Sequence, residues 1–216
     1  MVGCGDASRK ASENVKPKLK EYTADEVTIP NETQKTYYEN GQLRSEGATN
    51  ESGAQMGIWK WYHENGTLAS EGDYVDGYPT GTTKVYYENG QLRIKENYID
   101  GGKKDGICTW YYENGQIQAE KMWSDGKRNG TEISYYETGN KSQELNWKDS
   151  KRNGIFKSYY ESGQLETEGT YKDDYQHGNW KAYHENGQLK IEANQEYGLT
   201  IEQNCWDEDG NQIKCD

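Results

Sequence analysis

The sequence predicts an all-β fold: an elongated array of about eight antiparallel β-hairpin repeats, single-layered or solenoid-like. Three observations predict it. The phrase Tyr37-Tyr38-Glu39-Asn40-Gly41-Gln42-Leu43 returns until the chain ends, with its glycines at 41, 66, 90, 115, 139, 163, 187 and 210. The step is 24–25 residues, with 23 at the last, and a fixed period of this size marks stacked supersecondary units. Each period carries Asn-Gly or a close variant between alternating residues, a short-range hairpin signal whose turn positions call for positive φ. No stretch shows the 3.6-residue apolar period of a helix.

Composition fits a thin core. Hydrophobic residues make up 31% of the 216, with 19 Tyr, 7 Trp and a single Phe, and the net charge is −12. So few aliphatics would not fill a compact globule, yet 12% aromatics is too many for a disordered chain. Amphipathic aromatics buried between neighbouring repeats reconcile the two. The charge excludes nucleic acid and anionic lipid headgroups as natural partners and favours a basic one, although it also serves to keep an edge-rich array soluble.

Residues 1–30 read as a leader. Val2-Gly3-Cys4 before small and polar residues resembles the end of a bacterial lipobox, in which the Cys becomes the lipidated first residue. Gly5 after it, by the same resemblance, favours the outer membrane. A tether with Pro17 and Pro30 follows. The expectation is a lipoprotein of the bacterial cell envelope, touching the membrane only through Cys4; without lipidation at Cys4 the chain would be cytoplasmic. No segment is apolar over the roughly 20 residues a membrane helix needs.

Residues 31–216 form the array. A second glycine turn is expected nine residues before each tip glycine, at Gly57, Gly81, Gly106, Gly130, Gly154 and Gly178. The aromatic column Tyr37, Tyr62, Tyr86, Tyr111, Tyr135, Tyr159, Tyr183 and Trp206 is the expected spine of the core. Leu43, Leu68 and Leu92 and the later Tyr74, Tyr98, Trp123, Trp147 and Tyr171 join it. Lys141 and Gln212 break the leucine column and predict weak spots.

The phrase Tyr-Tyr-Glu-Asn-Gly-Gln-Leu, followed by Glu-Gly, Tyr and Asp-Gly, resembles the bacterial variant of the membrane-occupation-and-recognition-nexus (MORN) repeat, as in YwqK-type antitoxin proteins. The likeness runs over 33–216, through seven good copies and a degenerate eighth. It implies an elongated antiparallel sheet and a binding role.

Cys205 and Cys215 flank Gly210 at equal distance on opposite strands of one hairpin, where facing residues lie close enough for a disulfide. Two free thiols or a metal site are the alternatives, and no His lies near to complete a zinc site. Cys108 shares a column with Trp59, Thr83, Glu132, Phe156 and Trp180 and reads as a small packing residue. The glutamates Glu46, Glu71, Glu120, Glu144, Glu168 and Glu192 repeat one environment, so they read as a solvated face or a weak cation ladder rather than a catalytic pair. The second-aromatic column, Tyr38, His63, Tyr87, Tyr112, Tyr136, Tyr160 and His184, points away from the spine. It is the candidate binding row, able to stack on sugars, cell wall or a partner's side chains, unless it is a second packing layer.

No position breaks the repeat with a catalytic group, and no cofactor or metal is implied. The expected function is a non-enzymatic, surface-tethered protein-binding or scaffolding module. The alternatives are an antitoxin or immunity protein neutralising a basic toxin, and a carbohydrate or cell-wall binder.

Overall fold

The computed structural model describes residues 33–215. Cys4 and the rest of the 1–30 leader lie outside the described residues. Every regular element within them is a β-strand. The first strands are β1 (Gln34–Tyr37), β2 (Leu43–Thr49), β3 (Gln55–Tyr62), β4 (Leu68–Val75), β5 (Tyr78–Tyr86) and β6 (Leu92–Ile99). The middle holds β7 (Lys103–Lys104), β8 (Gly106–Tyr111), β9 (Ile117–Ser124), β10 (Lys127–Tyr135), β11 (Lys141–Lys148) and β12 (Lys151–Tyr159). The array ends with β13 (Leu165–Lys172), β14 (Tyr175–Tyr183), β15 (Leu189–Glu196), β16 (Leu199–Trp206) and β17 (Gln212–Ile213). Consecutive strands pair antiparallel in one open meander, the two-residue β7 continuing into β8 along the same side of β6.

The tips differ from the expected turn. In the first, Gly41 N donates to Tyr38 O at 3.0 Å and Tyr38 N to Gln42 O at 2.8 Å, and the pattern recurs at all later tips. Gly41 takes φ +82 while Asn40 stays out of the positive region, so the loop is a type I turn closed by a left-handed glycine. Asparagine is there for its side chain: Asn40 Oδ1 accepts from Gln42 N at 2.9 Å, as Asn65, Asn89, Asn114 and Asn186 do in their own loops.

Turns with two positive-φ residues sit at the opposite end. Asp76-Gly77, Asp125-Gly126, Asp149-Ser150, Asp173-Asp174 and Tyr197-Gly198 join one repeat to the next. The glycines expected to make this second turn are instead inside strands. Gly57, Gly81, Gly130, Gly154 and Gly178 mark places where three residues of one strand oppose a single residue of the preceding strand. Such bulges bend and twist the sheet at each repeat. They also absorb the uneven step. In the last repeat, one residue shorter, only Ile201 is extra between Thr200 and Glu202, and pairing from Cys205 to Ile191 is restored. The longer steps are taken up by wider joints at 50–54 and 100–102.

The core is a row across one face of the single sheet. Trp59, Cys108, Leu145, Trp180 and Ala193 are buried in it, together with Thr83 and Glu132. Volume is balanced between strands: a Cβ on Gly47 would lie 2.3 Å from Trp59 Cδ2, and one on Gly169 2.2 Å from Trp180 Cδ2. Glycine is required under the tryptophans by contact, not by backbone angle. Tyr74 packs edge-on to Trp61, and Tyr171 edge-on to Trp180, at centroid distances of 5.6 and 5.1 Å. The Tyr37 column is not this spine. Its phenols lie on the other face, Tyr62 bonding Glu46 and Tyr86 bonding Glu71, because each stands three residues after a member of the buried row on the same strand, Tyr62 after Trp59 and Tyr86 after Thr83.

Candidate binding surfaces

Three surfaces carry the polar chemistry, and the aromatic row at the tips comes first. Each member reaches forward one repeat to the carbonyl of the next Tyr37-column residue. Tyr38 donates to Tyr62 O at 2.6 Å, and Tyr87, Tyr112, Tyr136 and Tyr160 donate to Tyr111, Tyr135, Tyr159 and Tyr183 at 2.7 Å. His63 Nε2 lies 3.1 Å from Tyr86 O and His184 Nε2 3.0 Å from Trp206 O. A carbonyl acceptor requires the Nε2–H form, which explains why His replaces Tyr here: both offer a donor at the same reach. The row is half-buried and staples repeat to repeat, leaving ring faces but no free hydroxyls for a ligand.

The charged face carries the glutamate column. Tyr62 donates to Glu46 at 2.8 Å and Tyr183 to Glu168 at 2.8 Å, while Lys35–Glu46, Lys84–Glu71 and Lys181–Glu192 pairs cross neighbouring strands at 3.3–3.6 Å. The Tyr62 phenol, with Lys35 beside it, holds the Glu46 carboxyl below its ordinary range. Burial and then the Glu168 hydrogen bond push Tyr183 up to about 12. Shallow hollows open where the bulges expose backbone, one lined by Ile155, Lys157, Glu168, Thr170, Asn179 and Lys181. Among the described residues no cluster of His, Cys, Asp and Glu is arranged to hold a metal ion.

The two long edges of the array differ in charge, which the column reading missed. At the joint edge three aspartates meet a cation of the preceding repeat, Lys103–Asp125 at 2.6 Å, Lys127–Asp149 at 3.6 Å and Arg152–Asp174 at 3.4 Å, while Asp76 accepts from Asn50 Nδ2 at 2.8 Å. At the tip edge the exposed carboxylates Glu39, Glu64, Glu88, Glu113, Glu137, Glu161, Glu185 and Glu208 recur once per hairpin, and no tip loop contains Lys or Arg. Neighbouring tips are two strand spacings apart, about 10 Å. The lysines after Asp-Gly are the sequence signal for this asymmetry.

Cys205 and Cys215 are disulfide-bonded, with Cα atoms 5.4 Å apart, and tie the two-residue β17 to β16. Cys108 is fully buried and reduced, its thiol pushed up by burial. Lys141 is exposed and pairs with Glu144.

A family model described as the MORN repeat variant matches residues 33–49, 57–76, 79–100, 104–125, 128–149, 152–173 and 176–196. The chain belongs to the MORN repeat variant family. Each matched segment after the first covers a hairpin, and the last hairpin, β16–β17, falls outside the match. No curated protein matches the chain. MORN repeats are generally protein- or membrane-binding modules and are not typically enzymatic.

Proposed function

We propose that this MORN-repeat chain is a non-enzymatic scaffold that binds a basic protein partner along its tip edge. The observation that carries the reading is the charge asymmetry between the edges. The joint aspartates Asp125, Asp149 and Asp174 are neutralised by lysines and an arginine of the neighbouring repeat, whereas tip glutamates are presented unpaired at a fixed spacing on short, hydrogen-bonded loops. A rigid line of one sign raises the association rate of an oppositely charged partner and sets its register. It disfavours anionic membranes among the surfaces that MORN repeats bind. A basic toxin neutralised along this edge would be the antitoxin form of the same chemistry. Surface tethering through lipid on Cys4 completes the proposal, and intact mass of the protein from its host tests that part.

The binding test is capture from host extract by the wild-type chain and by a Glu88→Gln, Glu113→Gln, Glu137→Gln variant. These side chains are exposed, so the fold should survive; Tyr→Ala changes in the aromatic row would remove the inter-repeat staples and confuse the result. The expected outcome is a basic protein held by the wild type, released by salt and lost from the variant. Equal capture by both would overturn the reading.

A further inference from the structure

We propose that the outer edge of β16 is a self-association surface, on which a second copy of this chain adds its own β16 in antiparallel register. β16 pairs along its length with β15, but on its other side β17 covers only Cys205 and Trp206. No other described strand pairs with residues 199–204 on that side, and an extended strand with one row of unpaired backbone groups is a template for another strand.

The side chains there favour such pairing. Tyr197, Leu199 and Ile201 are 66%, 69% and 60% exposed, among the most exposed large apolar side chains of the described residues, with Tyr175 beside them at 55%. Residues 197–206 hold a single charge, Glu202, in a chain that is 29% charged. Of the devices that usually guard an edge, this one has a single-residue bulge at Ile201 but no lysine and no proline. Lys127 and Lys151 start β10 and β12 where Leu199 starts β16, and no proline interrupts 199–204. At the opposite end of the sheet β1 is four residues long and carries Lys35.

Charge selects the orientation. A parallel arrangement would bring Asp207, Glu208 and Asp209 of two copies together, and like charges at that distance repel. An antiparallel pair about a two-fold axis separates them. Centred on Ile201, it sets Leu199 against Gln203 and Glu202 against Thr200, so the two glutamates are not opposite. A two-fold contact of this kind is closed and stops at two chains.

The test is sedimentation equilibrium of the full chain carrying Cys4→Ser, which removes an intermolecular disulfide as a source of dimers. The expected result is a concentration-dependent dimer whose dissociation constant rises at least about 10-fold when Leu199→Lys and Ile201→Lys are introduced together. Both positions are solvent-exposed, so circular dichroism and melting should be unchanged. Ile58→Lys, equally exposed but within the sheet, is the control and should leave the dimer intact. A monomer at every soluble concentration would overturn the proposal. So would a dimer that survives the double substitution, or one lost equally in the control. None of these readouts involves the tip edge, so the proposal and the partner-binding reading stand or fall separately.

Discussion

The buried row is filled in two opposite ways in the middle and the C-terminal part of the same sheet. Near the C-terminus it is aromatic: Phe156 stacks on Trp180 at 5.4 Å, Tyr171 closes edge-on, and Gly169 leaves room beneath. In the middle the same positions are ionic. Glu132 replaces the tryptophan, Lys121 replaces the glycine, and Arg128 completes the group at 3.2 Å from Glu132, with Lys121 at 3.1 Å. The cations lie over Trp110, Trp123 and Trp147 at 4.6–5.6 Å. Both solutions fill the row, but they differ in polar accounting. Trp180 donates to Thr170 O at 3.2 Å and Trp59 to Ala48 O at 2.7 Å, while the buried indole N–H groups of Trp123 and Trp147 have no partner. A buried donor without an acceptor costs about 1–3 kcal/mol. The lesson is that the repeat keeps volume across the row, not chemistry, and that the ionic filling is the weaker one.

The largest expected effect comes from the aromatic region. Trp180→Ala should destabilise by about 3–5 kcal/mol, as removal of a large buried aromatic does. Gly169→Ala should cost about 1–3 kcal/mol, because its methyl would enter the indole ring. The two should be strongly non-additive, since removing the indole frees the space the methyl needs. Urea unfolding of the four proteins in the cycle measures this, and additive losses would show that the contact is not the reason for glycine at 169.

In the middle, Glu132→Gln leaves Lys121 and Arg128 without their shared carboxylate. The expected loss is about 1–3 kcal/mol, below the figure for a fully buried pair because both cations keep partial contact with solvent. A transplant sharpens the comparison. Lys121→Gly, Arg128→Gln and Glu132→Trp together copy Gly169, Gln176 and Trp180 into the middle repeat. Because replacing a buried ionic group by packed apolar residues is often neutral or stabilising, the triple variant should be at least as stable as the wild type. Unfolding below the Glu132→Gln value would mean that the row does not tolerate exchange between repeats.

Alkali should weaken both regions through their phenols. Burial and then Glu96 raise the Tyr98 pKa in the middle, and burial and then Glu168 raise Tyr183 to about 12 near the C-terminus. A phenol raised in the folded state contributes stability that is whole below its unfolded value near 10 and is lost as pH climbs toward the folded value. Thermal melts should therefore be level up to about pH 10 and fall between there and about 12. Tyr98→Phe and Tyr183→Phe should each flatten that fall, and slopes identical to the wild type would remove the phenols as its cause.

How much of this is legible depends on what each signal reports. The period and the tip glycines reveal where each hairpin reverses, so the hairpins and the Cys205–Cys215 pair can be read directly, whereas the glycines nine residues before each tip mislead, because they form bulges inside strands. Facing cannot. An extra residue at each bulge shifts every side chain beyond it, and nothing in the alternation around Trp61-Tyr62 tells which of the two neighbours is inside. The column through Trp59 and Trp180 looks inconsistent because Thr83, Cys108 and Glu132 interrupt it, yet that variation is compensated across the strand by Glu96, Lys121 and Leu145. Compensation between distant columns is invisible to a reading made one column at a time. The aromatic tip row reads as an exposed surface for the opposite reason: its acceptor is a backbone carbonyl one repeat away, which has no sequence signature.

That carbonyl supplies the mildest test, common to both regions. Tyr112→Phe keeps the ring and removes only the bond to Tyr135 O, and Tyr160→Phe does the same at Tyr183 O. Each should cost about 1 kcal/mol, the net worth of one hydrogen bond. If the middle is the weaker region, the two losses will match in size but not in consequence. Tyr112→Phe should speed amide exchange over β8 to β11, where the ionic row already opens more readily, while Tyr160→Phe leaves β12 to β15 protected. Equal exchange in the two variants would mean that the staples, rather than the filling of the row, decide which repeats open first.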